Sequence, residues 1–328
     1  MKYLLLGLAF MLPVTSAADV PLSYQKGGRE FTAQMVRKHG FDRREVDALI
    51  GKARYQQEII DAIRRPWEAK PWYRYRPIFL TPERIAAGAE FWRANRDILD
   101  RAQREFGVAP AVVVAIIGVE TNYGGNLGRH RVIDALTTLG FSYPKRADFF
   151  RKELESLLLL ARSESIDVTD LKGSYAGAVG MPQFIPSSYR AYAVDFDGDG
   201  RRDLWNSRAD VIGSVASYLA RHGWRPREPV AQRARVRGGV PARIPVAEKK
   251  PKKPNIEVSR LRDAGIEPIG PMAGSKRATF VRLEAPEDEY WLGYTNFYVI
   301  TRYNHSNLYA MAVFQLSQRI EEHYRAGG

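Results

Sequence analysis

One short stretch of this sequence constrains its fold more than any other. An apolar run from Val112 to Val119 ends in Glu120, just before the glycines at 124 and 125. Pro110 suits a first helical turn and the glycines suit a helix stop, so the pattern predicts one buried helix between them. Glu120 then lies in the last turn of that helix, where a carboxylate needs a physical reason.

The position of Glu120 predicts a carboxyl group that holds its proton near neutral pH. Helical spacing places it on the face of Val113, Ile116 and Ile117, and the negative end of the helix dipole disfavours its ionised form. Both effects are expected to raise its pKa, which suits a general acid for glycoside cleavage. The alternative is a Glu that only caps a turn, although a helix C-terminus favours Lys or Arg.

The N-terminus has the pattern of a secretory signal peptide that ends at residue 18. One lysine precedes an apolar stretch from Tyr3 to Leu12, and small residues follow where a signal peptidase cuts. That stretch is too short to span a bilayer. The chain has no cysteine, so we expect neither disulfides nor a lipid-modified N-terminal cysteine. We therefore expect a soluble periplasmic protein with no stable membrane anchor.

The formal charge of +13 indicates an anionic partner. In an exported protein the candidates are cell-wall polymer, acidic polysaccharide or a membrane surface, and nucleic acid fits that compartment poorly. The basic residues are dispersed along the chain and form no continuous stripe. A charge that only keeps the protein soluble is an equal alternative.

Periodicity predicts a mainly α chain (α+β), with one helical domain formed by residues 19–224 and 296–328. A final helix from Leu308 to Arg325 is expected to pack back onto the first part of this domain. An aromatic break is expected at 66–77. Helical patterns cover the Glu120 segment and the stretches 27–64, 83–106 and 149–162.

Composition changes after Trp224, which predicts an inserted β-rich subdomain at 225–295. Prolines, glycines and a Lys-Pro run at 249–254 exclude a helix there. Alternating stretches at 278–283 and 289–294 suit short strands. The insertion is expected to bind a partner or to shape a groove, and a solvated linker at the Lys-Pro run is an equal alternative.

A second motif predicts a calcium-binding loop of EF-hand type at 195–210. Asp195, Asp197 and Asp199 occupy loop positions 1, 3 and 5, glycine stands at position 6, and Arg201 is the position-7 ligand. Helical patterns flank the loop on both sides. We expect Ca²⁺ to have a structural role here and no cofactor to be required for chemistry.

The end of this loop departs from the usual pattern. Position 12 is Asn206 instead of a bidentate Glu, and position 8 is Arg202 instead of an apolar residue. Asp210 is expected to supply the missing carboxylate. The alternative is an Asp/Gly turn without an ion, which three mutually repelling carboxylates disfavour.

Two further segments have side chains that suit sugars. The first, at 174–188, is rich in small residues and offers hydrogen bonds from Ser174 and Gln183. The second, at 297–309, is dense in tyrosine and asparagine. Close helix packing explains the first segment equally well, and a helix start with half-buried aromatic rings explains the second.

Together these motifs resemble the lytic murein transglycosylase B family, whose soluble members share a lysozyme-like core. Their order and spacing cover nearly the whole chain after the signal peptide. The segments that carry the resemblance are 118–121, 174–180 with Gln183, the loop 195–200, and 301–310.

The resemblance implies cleavage of the β-1,4 bond between N-acetylmuramic acid and N-acetylglucosamine in peptidoglycan, which leaves a 1,6-anhydromuramoyl end. Glu120 would protonate the glycosidic oxygen and then accept the proton of the C6 hydroxyl as that oxygen attacks C1. Peptidoglycan glycan strands are then the partner. The resemblance assigns a saccharide groove to Tyr75, Ser174, Gln183, Tyr218, Tyr303, Asn304 and Tyr309.

Two other functions remain open from the sequence. A hydrolytic muramidase of lysozyme type would use Glu120 with an activated water, and it would need a second carboxylate for which Asp134, Asp148 and Glu153 are candidates. Substrate assistance by the N-acetyl group would remove that need. The other alternative is a non-catalytic peptidoglycan-binding protein that keeps the groove.

Overall fold

The structure is a computed structural model that describes residues 21–65, 69–271 and 277–327. The predicted signal peptide at 1–18 lies outside the described residues. Within them the helices are α1 (Leu22–His39), α2 (Arg43–Lys52), α3 (Gln57–Ile63), α4 (Trp72–Phe79), α5 (Pro82–Ala94), α6 (Arg96–Phe106), α7 (Pro110–Thr121), α8 (Val132–Ser142), α9 (Ala147–Glu164), α10 (Pro186–Tyr192), α11 (Arg208–Arg221), α12 (Val258–Asp263), α13 (Thr295–Tyr303) and α14 (Asn307–Ala326).

The strands are short and lie mostly in the later part of the chain. A two-stranded antiparallel sheet pairs β1 with β2, and a larger sheet has the order β4-β7-β8-β3-β6, with β5 paired to β7. The β4–β7 pair is parallel and the other pairs are antiparallel. The bounds are β1 (His130–Arg131), β2 (Lys172–Gly173), β3 (Ala231–Val236), β4 (Val246–Ala247), β5 (Ile256–Glu257), β6 (Ile266–Pro268), β7 (Arg277–Leu283) and β8 (Glu289–Gly293).

Helix α7 is the centre of the helical core, as its apolar sequence predicts. Every residue from 110 to 118 is buried, because α5, α6, α11 and α14 all pack around it. Its C-cap is Asn122 in a left-handed conformation at φ 50°, whose backbone N–H bonds to the last carbonyls of the helix. The prediction of one buried helix that ends just after Glu120 is confirmed.

The N-terminal helical pattern is divided into three helices. Gly40 ends α1 in a left-handed conformation, and the Asp42 carboxylate caps α2 by accepting from two backbone N–H groups. A further break at residues 53–56 precedes α3. The predicted stretch 83–106 is likewise two helices, broken at Asn95, whose side chain bonds to the Phe91 carbonyl.

The predicted aromatic break at 66–77 is wrong from residue 72 onward, where α4 begins. Pro71 stands before the first helical residue, where its missing N–H costs nothing. Pro77 lies near the end of this short helix, and the burial of Trp72 and Tyr75 on one face offsets its cost. Trp67 lies outside the described residues.

The larger sheet separates two hydrophobic clusters. Phe280 and Leu292 face each other across β7 and β8 and belong to a small cluster that also contains α12. Val281 and Leu283 point to the other face and join the helical core. The strands predicted at 278–283 and 289–294 are thus present as β7 and β8. The proposed domain boundaries at 225 and 295 stay a prediction, which this separate cluster supports.

No single helix in the described ranges has the length and apolarity needed to cross a membrane. Only when taken together are α6 and α7 long and apolar enough, and the two helices are bent by 113° at the break between them. Here α7 is the central helix of the packed core.

Candidate active site

Glu120 lies at the end of α7 and meets a tyrosine from the far end of the chain. Its side chain is half-buried, and its Oε1 accepts a hydrogen bond of 2.6 Å from the Tyr309 hydroxyl. Tyr309 lies in the first turn of α14, where the Ser306 side chain caps the helix by accepting from the Tyr309 N–H. The packing of α14 on α7 therefore brings the two residues together across the chain.

The Tyr309 hydroxyl is a permanent hydrogen-bond donor. Its burial, and then the nearby Glu120 carboxylate, raise the pKa of Tyr309 well above the usual 10. Burial and Glu120 raise the pKa of Tyr303 in the same way. Both phenols stay protonated at any pH at which such a protein works, so neither competes with Glu120 for a proton.

Aromatic rings form a wall beside this pair. The Tyr303 and Tyr309 rings are nearly parallel at 9° with centroids 6.3 Å apart, and Tyr218 follows at 4.8 Å from Tyr303. The Tyr303 hydroxyl donates to the Pro182 carbonyl and the Tyr218 hydroxyl to the Arg302 carbonyl, each at 2.6 Å. These bonds fix the two rings in place.

Two other predicted groove residues lie at this wall. Tyr75 of α4 is buried, packs on Phe79 at 5.1 Å between centroids, and is close enough to raise the pKa of Tyr309. Asn304 follows α13, where its carbonyl accepts from the Ser306 N–H at 2.7 Å. The structure thus brings the predicted residues Tyr75, Tyr218, Tyr303 and Tyr309 into one aromatic group beside Glu120, and Asn304 adjoins Tyr303 in the chain. Contact of these residues with sugar stays a prediction.

Ser174 and Gln183 belong to the small-residue segment, which forms tight turns. The Ser174 hydroxyl oxygen accepts from the N–H groups of Ala176 and Ala178 at 3.2 and 3.0 Å. Gln183 has φ 51°, and its side-chain amide donates to the carbonyls of Gly180 and Leu127 at 2.9 and 3.3 Å. Both side chains bond to nearby backbone groups, as expected if this segment serves packing instead of sugar binding. A role of Ser174 and Gln183 toward sugar stays a prediction.

Sequence reasoning missed the residue that joins this segment to α7. Thr121 directly follows Glu120, and its hydroxyl donates to the Met181 carbonyl at 2.9 Å. Met181 in turn donates from its N–H to the Leu204 carbonyl at 2.8 Å. A Thr at the end of an apolar helix is a weak sequence signal. Only the fold shows that it bonds Met181, the neighbour of Pro182, whose carbonyl accepts from the Tyr303 hydroxyl of the aromatic wall.

The β-rich insertion also reaches the start of α14. The Asn307 side chain donates to the Glu248 and Lys250 carbonyls at 2.6 and 3.2 Å, and its N–H donates to the Lys249 carbonyl at 3.0 Å. Lys249 Nζ also donates to the Ala69 carbonyl at 2.6 Å. The backbone at the start of the Lys-Pro run is therefore fixed two residues from Tyr309, while its lysine side chains are exposed, so the alternative of a solvated linker stays open.

The other candidate carboxylates are bonded elsewhere. Burial raises the pKa of Glu153, but both its oxygens accept from Ser187, at 2.9 Å from the N–H and 2.7 Å from the hydroxyl. Asp134 accepts from the Arg54 N–H and pairs with Arg131 at 3.2 Å. Asp148 is exposed at the start of α9. Each of the three lacks a recorded bond to Glu120 or Tyr309 within the described ranges.

The predicted calcium loop joins α10 to α11 and brings three carboxylates together. Asp195, Asp197 and Asp210 place one oxygen each within 4.8 Å of the others. Asp210 is fully buried and lacks a recorded ion pair with any described residue. Its two oxygens accept from the N–H groups of Phe196 and Asp203 at 2.6 and 2.7 Å, which fixes the start and end of the loop.

Three other loop residues lie outside this carboxylate group. Asp199 accepts from the Arg201 N–H at 2.8 Å, so its carboxylate faces the loop backbone. Asn206, at the usual position of the bidentate Glu, donates to Asp203. Arg202 pairs with Glu164 of α9. The residues that depart from the EF-hand pattern, Arg202 and Asn206, thus form bonds that hold the loop. Asp210 supplies the third carboxylate oxygen of the group that it forms with Asp195 and Asp197.

This arrangement is that of a lysozyme-like glycan-cleaving protein, in which one half-buried carboxyl group ends a core helix beside an aromatic wall. The chain belongs to the transglycosylase SLT domain family, which it matches over residues 23–318. The resemblance to lytic murein transglycosylases and the mainly α fold are both confirmed.

Three relatives illustrate the match. The membrane-bound lytic murein transglycosylase B of Escherichia coli K12 is 43% identical over 304 residues, which cover 89% of this chain and 82% of that protein. The soluble lytic transglycosylase SltB1 of Pseudomonas aeruginosa is 46% identical, with a TM-score of 0.83 over 91% of this chain and 99% of that one. The E. coli lytic transglycosylase Slt35 in complex with calcium is 43% identical, with a TM-score of 0.82 over 91% and 93%.

Proposed function

We propose that this protein is a lytic transglycosylase that cleaves peptidoglycan between N-acetylmuramic acid and N-acetylglucosamine, with Glu120 as its only catalytic carboxyl group. Membership of the family and the similarity to a murein transglycosylase support the activity. The observation that carries the assignment of Glu120 is its hydrogen bond from a buried tyrosine at the end of the core helix. The family match favours cleavage over binding alone, and the bonding of the candidate second carboxylates Asp134 and Glu153 to other groups favours transglycosylation over hydrolysis.

Glu120 acts first as an acid. Its protonated carboxyl group donates to the glycosidic oxygen, and the bond from that oxygen to C1 of N-acetylmuramic acid breaks. The N-acetyl carbonyl oxygen of the same sugar bonds to C1 and takes over the positive charge, so no protein nucleophile is required. The Tyr309 hydroxyl then donates to the new Glu120 carboxylate and stabilises it.

The same carboxylate then acts as a base. It accepts the proton of the C6 hydroxyl, the C6 oxygen bonds to C1, and the bond from the N-acetyl oxygen to C1 breaks. The product is a 1,6-anhydromuramoyl end, and Glu120 regains its proton. No water takes part in this reaction, so the enzyme benefits when water is kept from the reacting atoms. The partial burial of the Glu120 carboxyl group serves that purpose.

The products of glycan digestion test this reaction. We expect mass spectrometry of digested strands to show muramoyl ends that are lighter by one water than the hydrolytic product, and we expect no new reducing ends. Strands cut by a lysozyme-type muramidase provide the reference for the heavier product. Reducing ends in the digest of this protein would instead assign it to hydrolysis.

We also propose that Asp195, Asp197 and Asp210 bind a structural Ca²⁺, together with the backbone oxygen of Arg201 at position 7; Asp199 at position 5 joins them if its carboxylate turns from the Arg201 N–H toward the ion. Three carboxylate oxygens within 4.8 Å repel one another unless a cation neutralises them, and oxygen ligands in a flexible loop suit calcium. The related Slt35 has been solved in complex with calcium. The loop ends at α11, which carries Tyr218 of the aromatic wall, so the ion supports the site through the fold.

Calcium is expected to stabilise the protein against heat. At a hundredfold excess of Ca²⁺ over its Kd, binding to the folded state adds about 2.7 kcal/mol to the free energy of unfolding. Scanning calorimetry with calcium and with a chelator measures this as a higher Tm. Asp195→Asn should abolish the increase, while Asp47→Asn, an exposed change on α2, should keep it. An unchanged Tm in the wild type would refute the ion site.

Finally, we propose that the protein works in the periplasm after export. The signal-peptide pattern at 1–18 supports export, and the charge of +13 suits contact with an anionic wall polymer.

A further inference from the structure

A polar cavity of about 210 Å³ lies where α4, α14 and the strands β3 and β8 meet. Its lining is dominated by charged side chains and one indole, unlike the aromatic wall beside Glu120. The residues that matter for its chemistry are Arg76, Arg233, Glu289, Trp291, Gln315 and Arg319. None of these residues takes part in the reaction proposed above.

The carboxylates at the cavity are partly neutralised, and the arginines are in excess. Glu289 accepts from the Trp291 indole N–H at 3.2 Å and lies 3.9 Å from Arg76. Arg319 pairs with Glu322, its neighbour on α14, at 3.0 Å. Arg233 is exposed and makes no recorded ion pair with a described residue. The cavity therefore offers a guanidinium group for an anionic ligand.

Gln315 adds an unsatisfied acceptor. Its side chain is only 8% exposed, yet its Oε1 has no hydrogen-bond partner among the described residues. A buried amide oxygen without a donor costs about 1–3 kcal/mol, so a ligand that donates an N–H there gains correspondingly. Together Arg233 and Gln315 suit a ligand with a carboxylate and an amide N–H, which is the chemistry of an acidic peptide.

The cavity is connected to the reaction centre by two helices. Gln315 follows Tyr309 on α14 by six residues, which is about 9 Å along the helix axis and about 120° around it. Arg76 directly follows Tyr75 on α4. An extended peptide covers about 3.3–3.6 Å per residue, so three residues cover the axial distance and a longer peptide also reaches around the helix. The relative SltB3 of Pseudomonas aeruginosa has been solved with a NAG-NAM-pentapeptide, and a peptide of that length is long enough and carries a carboxylate and amide groups.

We propose that this cavity is a subsite for the carboxylate-bearing stem peptide of the glycan strand, with Arg233 binding a carboxylate and Gln315 accepting an amide N–H. The proposal rests on the proposed transglycosylase function. It makes the β-rich insertion part of the substrate site, since Arg233 belongs to β3. Glycan strands that carry stem peptides are then better substrates than bare strands.

Paired substrates test the subsite. We compare kcat/KM on glycan strands with stem peptides and on the same strands after an amidase has removed them. Arg233→Ala is expected to lower the ratio of the two values about tenfold, the usual effect of one lost charge-assisted hydrogen bond. Gln315→Met, which fills the same volume without an acceptor, is expected to lower the ratio about threefold.

Arg235→Ala is the matched control, since it removes an exposed arginine from the same strand outside the cavity lining. Its ratio should equal that of the wild type. An unchanged ratio in Arg233→Ala overturns the subsite, whatever happens to the overall rate. An unchanged ratio in Gln315→Met overturns the proposed contact of its amide oxygen with the peptide.

The subsite and the reaction can fail separately. If the wild type forms anhydro ends on neither strand, the proposed function fails, and calorimetric titration with the amidase-released peptides then decides the subsite alone. Wild-type binding that weakens about tenfold in Arg233→Ala supports the subsite. No binding, or equal binding by both proteins, overturns it.

Discussion

Glu120→Gln is expected to lower the rate of peptidoglycan cleavage by about 10²–10⁴-fold, the usual contribution of general acid–base catalysis. The amide cannot protonate the glycosidic oxygen or accept the C6 proton, so both proposed steps lose their catalyst. Its size matches the carboxyl group, and its oxygen still accepts from the Tyr309 hydroxyl. The fold and the affinity for peptidoglycan should therefore remain. Chromatography of released anhydromuropeptides measures the loss, and sedimentation with insoluble peptidoglycan measures binding.

Glu105→Gln is the matched control for this variant. Glu105 stands one residue before the end of α6, is exposed, and has no recorded bond to a described residue. Its substitution should leave activity unchanged, which separates the loss of a catalyst from the loss of one negative charge. Activity of Glu120→Gln within tenfold of the wild type would mean that another group protonates the glycosidic oxygen.

The sequence was sufficient to locate Glu120, because the physical reason for its importance is local. An apolar run between a proline and two glycines can form a stable structure only as a buried helix, and α7 has those bounds. The strands β7 and β8 were predictable for a similar reason, since their alternating pattern specifies which face is buried.

The partner of Glu120 was not predictable from local pattern. The Tyr/Asn-rich segment 297–309 marked Tyr309 only as suited to sugars, and its bond to Glu120 could not be predicted, because it joins residues that are 189 positions apart. The bonds of Asn307 to the Lys-Pro run are equally non-local. Such contacts depend on how α14 packs against α7 and on where the insertion lies, and periodicity carries no information on either.

The error at α4 has a related cause. Three prolines and several aromatic residues within 66–77 predict an irregular segment when each is weighed by its helix propensity. In the fold Pro71 precedes the helix, and buried Trp72 and Tyr75 stabilise it through packing that a propensity scale omits. Tertiary burial thus outweighed local preference in the segment that supplies Tyr75 to the site.

Tyr309→Phe is expected to lower kcat by about 10- to 100-fold and to shift the pH dependence of activity upward. The Tyr309 hydroxyl donates to Glu120, and its raised pKa keeps it a donor over the whole working range. A hydrogen bond to the carboxylate favours the ionised form, so its removal raises the pKa of Glu120 relative to the wild type. The acid form then persists to higher pH, and the alkaline limb of the profile moves upward.

The fall in kcat has a separate reason. With a higher pKa Glu120 is a weaker acid, and without the bond its carboxyl group loses a fixed orientation, at a cost of about 1.5–3 kcal/mol for a hydrogen bond to a charged group. Tyr303→Phe is the matched control, because the Tyr303 hydroxyl belongs to the same aromatic wall but donates to the Pro182 carbonyl instead of Glu120. The alkaline limb of kcat/KM should move in Tyr309→Phe and stay in place in Tyr303→Phe. A limb that stays in place in Tyr309→Phe would show that Glu120 does not depend on this bond for its protonation, and Tyr309 would then serve the site only through its ring.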